Sequence, residues 1–157
     1  MARLRSIRRS KKFEEMVQVL ASRKSDSSSV FGTIKQLMIF AAMLGFSKQR
    51  RTPLSSEYGY EDIMYETFTT DDSHDYIFLV AVAHSGDASI LAEDNDEEIV
   101  TIFEEYANGG FEIISDWMFQ NKDLNVGYKA IASGLLDEGF MDGSPVSMEE
   151  LKTSMVF

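Results

Sequence analysis

The clearest alternation of apolar and polar positions in this sequence lies between Asn95 and Phe119. Asn95 and Glu98 suit a capping box, and the acids at 96–98 suit the positive end of a helix dipole. The pattern predicts a helix that anchors the fold, with Phe103 and Trp117 in the core. Its apolar positions follow the three- and four-residue spacing of one buried face: Ile99, Ile102, Phe103, Tyr106, Ile113, Ile114, Trp117 and Met118.

The middle of this predicted helix contains Ala107-Asn108-Gly109-Gly110. A glycine pair after asparagine either ends a helix in a left-handed residue or lets two helices pack unusually close, and spacing does not choose between them. A kinked core helix is one interpretation. The other is a hinge or a close-contact site for a partner, whose candidate partner-binding residues are Glu104, Glu105, Tyr106, Asn108, Gly109 and Gly110.

Other segments also carry helical spacing. A helix is predicted over about 11–23, with Phe13, Val17 and Leu20 on one face, before a serine-rich linker at 24–29. Residues 30–44 are apolar nearly all round, which predicts a buried helix that ends at Gly45. We expect a turn at 87–92, a helix at 126–138 and a short final helix that a capping box opens at Ser147.

Two segments are harder to assign. Residues 62–68 alternate as a short strand does, with an extended edge segment as the alternative. Residues 75–84 suit a buried helix or a buried strand, and the Asp-Ser before them and Ser-Gly after them favour a helix. Five or six helical patterns against one alternating segment predict a mainly α protein, a single compact helical domain at 13–157 with at most one short strand or hairpin.

The net charge of −11 averages two opposite parts of the chain. Residues 1–53 hold 12 of the 15 Lys and Arg residues against three acids, a net +9, whereas the rest holds three lysines against 23 acids, a net −20. Such asymmetry suits a polyanion or an acidic surface as partner for the front. A basic protein, or water alone, suits the acidic part.

The basic residues at the front are the candidate DNA-binding residues. Residues 1–12 are expected to form a flexible arm, because their cations repel one another and only Leu4 and Ile7 offer apolar burial. A second cluster follows the predicted helix at 30–44, where it suits a phosphate clamp and the negative end of the helix dipole equally well. The candidates are Arg3, Arg5, Arg8, Arg9, Lys11, Lys12, Lys48, Arg50 and Arg51.

Composition excludes several classes of protein. The chain has no cysteine, so disulfides, thiolate metal sites and cysteine nucleophiles are absent. The basic start lacks the apolar core of a secretory signal, and the apolar run at 37–46 is too short to span a bilayer, so we expect a cytoplasmic protein without membrane contact. Neither His74 nor His84 has metal-site spacing, and no catalytic motif is present, which predicts a protein without metal, cofactor or enzymatic activity.

Four stretches carry a resemblance to a known family: FGTIKQLMIFAAMLGF, RRTPL, LVAVAHSGDASIL and IFEEYANGGFEII. Over about 30–120 the chain resembles the accessory proteins of bacterial DNA phosphorothioation (dnd) systems, the dnd system-associated protein 4 family. Its most specific part is the EEYANGG core. The resemblance implies membership in a modification, restriction or anti-phage defence cluster that places sulfur on the DNA backbone. It brings no active site, so no catalytic residue is carried over.

Three functions follow from these observations. We expect a non-catalytic accessory subunit that contacts duplex DNA, or a DNA-bound partner, through its basic front. The alternative is an adaptor that docks a basic subunit of the same system through its acidic face. An enzyme is the least supported, because a nuclease needs clustered carboxylates with a Lys or His base. The oligomeric state stays open.

Overall fold

The structure, a computed structural model, describes residues 3–21, 29–120 and 127–140. Its elements confirm the mainly α fold class that the sequence predicts. The strands are β1 (Ile7–Ser10) and β2 (Tyr60–Ile63). The helices are α1 (Glu14–Leu20), α2 (Ile34–Ser47), α3 (Tyr65–Thr69), α4 (His74–Ser85), α5 (Asp96–Gln120) and α6 (Gly127–Asp137), with single 3₁₀ turns at Lys11–Phe13, Ser56–Tyr58, Ala88–Leu91 and Glu93–Asn95.

The contacts of the chain divide it into two compact units. Unit 1 comprises Met1–Phe13 and Met38–Phe111, and unit 2 comprises Glu14–Leu37 and Glu112–Phe157. Units defined by contacts need not be domains that fold separately. The expected division into an arm at 1–12 and a single domain at 13–157 therefore stays a prediction.

The N-terminal segment of unit 1 is part of a two-stranded sheet. β1 pairs antiparallel with β2, from Ile7 opposite Ile63 to Ser10 opposite Tyr60. Leu4 and Ile7, the two apolar residues of the segment, are both buried. This placement differs from the expected flexible arm, because carboxylates elsewhere in unit 1 neutralise the arginines that would otherwise repel one another.

Glycines set the distance between α2 and α5 in unit 1. A methyl group on Gly110 would overlap the carbonyl oxygen of Ala41, and one on Gly45 would overlap that of Tyr106. α5 runs unbroken through Gly109 and Gly110, so close helix packing, not a helix end, explains the glycine pair. The prediction that Gly45 ends a helix is wrong, since α2 continues to Ser47 and uses Gly45 for this contact.

Aromatic rings fill the core of unit 1. Phe103 is fully buried, as predicted, and meets Phe68 of α3 edge-on with ring centroids 6.2 Å apart. Phe111 lies 5.8 Å from Phe13. Such ring pairs contribute beyond the area that they bury.

Trp117 occupies the core of unit 2, which confirms its predicted burial. Gly134 of α6 lies against the indole, and a methyl group there would enter the ring. Gly127 at the start of α6 lies against Leu20 of α1 in the same way. The two glycines that weaken α6 by propensity are therefore the positions where α6 meets its neighbours.

The structure shows which elements the two ambiguous segments, 62–68 and 75–84, form. Residues 75–84 belong to α4, as favoured. The strand predicted over 62–68 ends at Ile63, and α3 follows, because Tyr65 and Phe68 lie three residues apart and are buried on the same side of a helix. Of the helix predicted at 11–23, residues 14–20 are helical. The final helix predicted from Ser147 lies outside the described residues, as does most of the linker.

Candidate functional site

The arginines near the N-terminus, the first group of candidate DNA-binding residues, contact carboxylates of α5. Arg3 donates from Nε to Asp96 over 3.0 Å and from Nη2 to the carbonyl oxygen of Leu91 over 2.5 Å. The hydrogen bond to Asp96 raises the pKa of Arg3. Arg3 also stacks its guanidinium 5.0 Å above the ring of Phe78.

Arg5 holds two carboxylates at once. Its Nε lies 2.9 Å from Glu97, and its Nη1 and Nη2 donate to the two oxygens of Glu104 over 2.7 and 3.0 Å. The hydrogen bond to Glu104 is the main reason that the pKa of Arg5 is raised, and the hydrogen bond from Arg5 lowers the pKa of Glu97. Bidentate geometry of this kind gives the strongest ion pairs of protein side chains.

Glu104 is the buried centre of this cluster. Its side chain is only 3% exposed, and besides Arg5 it accepts from the backbone N–H of Arg8 over 2.6 Å. The guanidinium of Arg8 lies further away, with Nε 3.7 Å from Glu104, and stacks over Tyr60. A buried carboxylate needs such compensation, because an unpaired charge in the interior is costly.

We call Arg3, Arg5, Arg8, Asp96, Glu97 and Glu104 the arginine–carboxylate cluster. Its three cations and three anions sum to no net charge. An open cavity of about 330 Å³ lies beside it, lined by Arg5, Ser6, Arg8, Asp62 and Glu97. Because the lining carries both signs of charge, it does not favour a phosphate over a cation.

The remaining candidate DNA-binding residues lie in different surroundings. Arg9 is buried, and Lys11 lies 3.5 Å from Glu61. Lys12 is exposed, with its amine 5.6 Å from the centre of the Tyr58 ring. Lys48 and Arg50 are exposed where the chain leaves α2. Their role, like that of the arginine–carboxylate cluster, stays a prediction.

The candidate partner-binding residues of α5 lie inside unit 1. Tyr106, Gly109 and Gly110 are buried, as is Glu104. Asn108 donates from Nδ2 to the carbonyl oxygens of Thr52 and Pro53, and its buried Oδ1 has no hydrogen-bond partner. These residues position α5 against the segment that follows α2, and a partner role for them stays a prediction.

A chain of polar contacts links Glu105, Arg51, His84 and Tyr106. Arg51 donates from Nε to Glu105 over 2.6 Å, and its Nη1 lies 3.1 Å from Nε2 of His84. Nδ1 of His84 lies 2.7 Å from the hydroxyl of Tyr106. The sequence showed only that His84 lacks metal-site spacing, and it did not indicate these contacts. The signal that could have found them is Tyr106 on the buried stripe, since a buried tyrosine hydroxyl usually has a partner.

The acidic part of the sequence is concentrated in unit 1. Residues 52–111, which we call the acidic segment, contain fifteen Asp and Glu residues and no Lys or Arg. In the structure most of these carboxylates are exposed. The exposed ones are Glu57, Glu61, Asp62, Glu66, Asp71, Asp72, Asp75, Asp87, Glu93, Asp94, Glu97 and Glu98.

The described residues contain neither a candidate metal site nor a helix that could span a membrane. Among residues 3–21, 29–120 and 127–140, no group of three or more His, Asp or Glu side chains is arranged to hold a metal ion. None of the helices in this part of the chain has the length and apolar character to cross a membrane.

The sequence matches the family described as DNA sulphur modification system-associated protein 4 over residues 6–143. The chain belongs to this family. The resemblance found in the sequence is thereby confirmed, and the description of the family associates its members with a DNA sulphur modification system. No curated protein matches the chain, and no solved structure matches it either.

The stretches that carry this family resemblance converge in unit 1. Gly45 of the first stretch packs against Tyr106 of the last, Arg51 of the second contacts Glu105, and His84 of the third contacts Tyr106. The EEYANGG core is therefore the place where the other three stretches meet. In this family member it serves as an internal junction of unit 1.

Proposed function

We propose that this protein is a non-catalytic accessory subunit of a DNA sulphur modification system that binds a basic protein of that system through its acidic segment. The association with the system comes from the family. The observation that carries the proposal is the arginine–carboxylate cluster. Its carboxylates pair with the arginines that a DNA-binding arm would need, while the acidic segment has eleven further exposed carboxylates outside the cluster.

The cluster weakens the case for DNA as the direct ligand. Arg5 and the backbone of Arg8 are held by Glu104, which is buried and cannot swing away into water. A DNA phosphate at Arg5 would approach Glu97 and Glu104 as well as the guanidinium. Affinity for DNA comes largely from Lys and Arg side chains that neutralise phosphates and release the counterions condensed on the DNA, and a cluster without net charge supplies little of it.

The exposed carboxylates favour a cationic partner. Between Thr52 and Phe111 the sequence holds no lysine or arginine, and its fifteen carboxylates outnumber the nine Lys and Arg residues of unit 1, so the net charge of unit 1 is negative. A negative net charge speeds association with a positively charged protein and opposes association with nucleic acid. Proteins that handle DNA present cationic surfaces for its phosphates, so a DNA sulphur modification system offers such partners.

Contact with the DNA backbone is the second candidate function. It is favoured by the basic residues that lie outside the cluster. Lys12, Lys48 and Arg50 are exposed, and the pair between Lys11 and Glu61 is a half-exposed one of little energetic value. These side chains could contact phosphates without breaking the arginine–carboxylate cluster.

Binding measurements with the intact protein distinguish the two functions. Fluorescently labelled protein is titrated with duplex DNA and, separately, with each other purified protein of the modification system, at about 50 and about 200 mM salt. We expect binding to a basic protein of the system that weakens with salt, and no change in anisotropy with DNA at the higher salt. Binding to DNA with a steep salt dependence, and to none of the proteins, would overturn the proposal in favour of the second candidate.

A further inference from the structure

Helix α4 combines an apolar sequence with a half-exposed position. From Tyr76 to Ala83 it contains eight successive apolar or aromatic residues. A helix that is apolar on all sides is typically buried on all sides. In unit 1, however, only Ile77, Val80 and Ala81 of this helix are fully buried.

The opposite side of α4 faces solvent. Tyr76 is 44% exposed and Leu79 is 52% exposed, and Ala83 is exposed as well. These residues follow one another at spacings of three and four, so they line one side of the helix, which we call the α4 face. A single exposed leucine is ordinary, whereas Tyr76 and Leu79 together leave an apolar strip of α4 uncovered.

Carboxylates lie near both ends of α4 in the chain. Asp75 is exposed and lies one helical turn from Leu79. Asp72 precedes the helix, and Asp87 follows Gly86, which ends α4 in a left-handed conformation. The α4 face therefore has an exposed carboxylate one helical turn from Leu79, and two further exposed carboxylates flank α4 in the chain.

We propose that the α4 face is the docking surface for an amphipathic basic segment of the partner protein. Apolar side chains of that segment would cover Tyr76 and Leu79, and its Lys or Arg residues would meet Asp75 and Asp87. The proposal rests on the proposed function, in which the partner is a basic protein, and adds where and by which chemistry it binds. Apolar anchors within a charged rim are the usual composition of such interfaces.

Charge distinguishes a basic partner segment from two other possible occupants of the α4 face, a second copy of the chain and the chain's own segment 141–157. In a symmetric dimer the same surface of both copies meets, so two α4 faces would bring like carboxylates together. The segment 141–157 of the chain contains apolar residues too, but it carries three acids and one lysine. Of these three, only a cationic segment complements both the apolar residues of the face and the carboxylates that flank it.

The test uses two labelled peptides and matched variants of the full chain. One peptide repeats leucine at helical spacing with lysine at all other positions, and the second has glutamate in place of each lysine. We expect the intact protein to bind the lysine peptide only. The double variant Tyr76→Ser/Leu79→Ser should bind it at least roughly tenfold more weakly. Asp75→Asn should reduce both affinity and its salt dependence.

Val19→Ser is the control, because Val19 is an apolar helix residue of similar exposure, 46%, that lies in α1 of unit 2. It should leave peptide binding unchanged, and all variants should keep the unfolding midpoint of the intact protein. Equal binding of the lysine peptide by the double variant and the intact protein would overturn the proposal. So would a concentration-dependent dimer that the double variant abolishes, or tighter binding after deletion of 141–157.

The same variants separate this inference from the proposed function. They are titrated with the protein of the system that binds the intact chain. If that protein binds the double variant as well as the intact chain, the proposed function stands and the α4 face is not its docking surface. If none of the proteins of the system binds the intact chain, the proposed function fails. The peptide comparison then remains as the test of whether the α4 face binds a basic amphipathic segment.

Discussion

The guanidinium of Arg51 lies 3.1 Å from Nε2 of His84. A guanidinium can only donate hydrogen bonds, so this contact favours the tautomer in which Nε2 accepts and the proton lies on Nδ1. In this tautomer Nδ1 donates to the hydroxyl of Tyr106, 2.7 Å away. The favoured tautomer of this histidine therefore depends on one contact between a loop and the end of a helix.

This arrangement can be checked by nuclear magnetic resonance. We expect long-range ¹H–¹⁵N correlations of the intact protein at neutral pH to show a protonated Nδ1 and an unprotonated Nε2 for His84. Arg51→Ala removes the donor that selects this tautomer and should shift His84 towards protonation at Nε2. His74, whose ring contacts Tyr65 and Phe78, serves as the internal control. A proton on Nε2 in the intact protein would contradict the assigned contact.

Replacement of Glu104 tests the arginine–carboxylate cluster. Glu104→Ala leaves Arg5 and the backbone N–H of Arg8 without their acceptor, and should lower the free energy of unfolding by roughly 2–4 kcal/mol. Urea denaturation of the two proteins measures the difference. Glu98→Ala, at an exposed position in the first turn of the same helix, should lose only its interaction with the helix dipole, about 0.3–1 kcal/mol. Equal effects of the two substitutions would show that the cluster does not anchor the N-terminal segment.

The close contact between α2 and α5 predicts that a glycine-to-alanine substitution, which usually stabilises a helix, destabilises this protein. In the interior of a helix, alanine usually stabilises relative to glycine by about 0.5–1 kcal/mol. At Gly110 the added methyl group overlaps the backbone of Ala41, so Gly110→Ala should instead destabilise by about 1–3 kcal/mol or more. Thermal unfolding measures this. Gly32→Ala, in the bend before α2, is the control for an added methyl group that would meet only the flexible end of the Gln36 side chain and no backbone. A stabilised Gly110→Ala would mean that α2 and α5 lie further apart.

The contact of Arg5 with Glu97 should be visible as a pH dependence. Since Arg5 lowers the pKa of Glu97 in the folded protein, the stabilisation is complete above the unfolded pKa of about 4.3 and is lost as the pH falls through the lower, folded value. Glu97 is largely exposed, so we expect at most about 1 kcal/mol. Comparison of the parent with Glu97→Gln by urea denaturation should show this difference at pH 7 and its decline in acid. A difference that grows in acid would contradict the assigned pairing.

The sequence by itself indicated most of the helices of the described chain, though not α3 or the end of α2, because helical spacing is a local property. The stripe from Ile99 to Trp117 predicted α5 and the burial of Phe103 and Trp117. It also carried the family resemblance, since that rests on short runs of residues. Residues 62–68 carry two local patterns of equal length. The three-residue spacing of Tyr65 and Phe68 indicates the helix that the structure shows, and the alternation of the same residues indicates a strand.

Only the tertiary structure decided what the charged residues and the glycines do. Arg5 and Glu104 are 99 residues apart in the chain, and no periodicity relates them, so a basic run that reads as a free arm becomes a strand with its charges neutralised. By its local pattern Gly110 could either end a helix or allow a second helix to approach closely. Its contact with Ala41 of α2 shows that the second role applies. Likewise, the apolar residues of α4 indicate burial, but which side is covered depends on the elements that pack against it. Such outcomes depend on contacts between distant segments, which a local pattern does not encode.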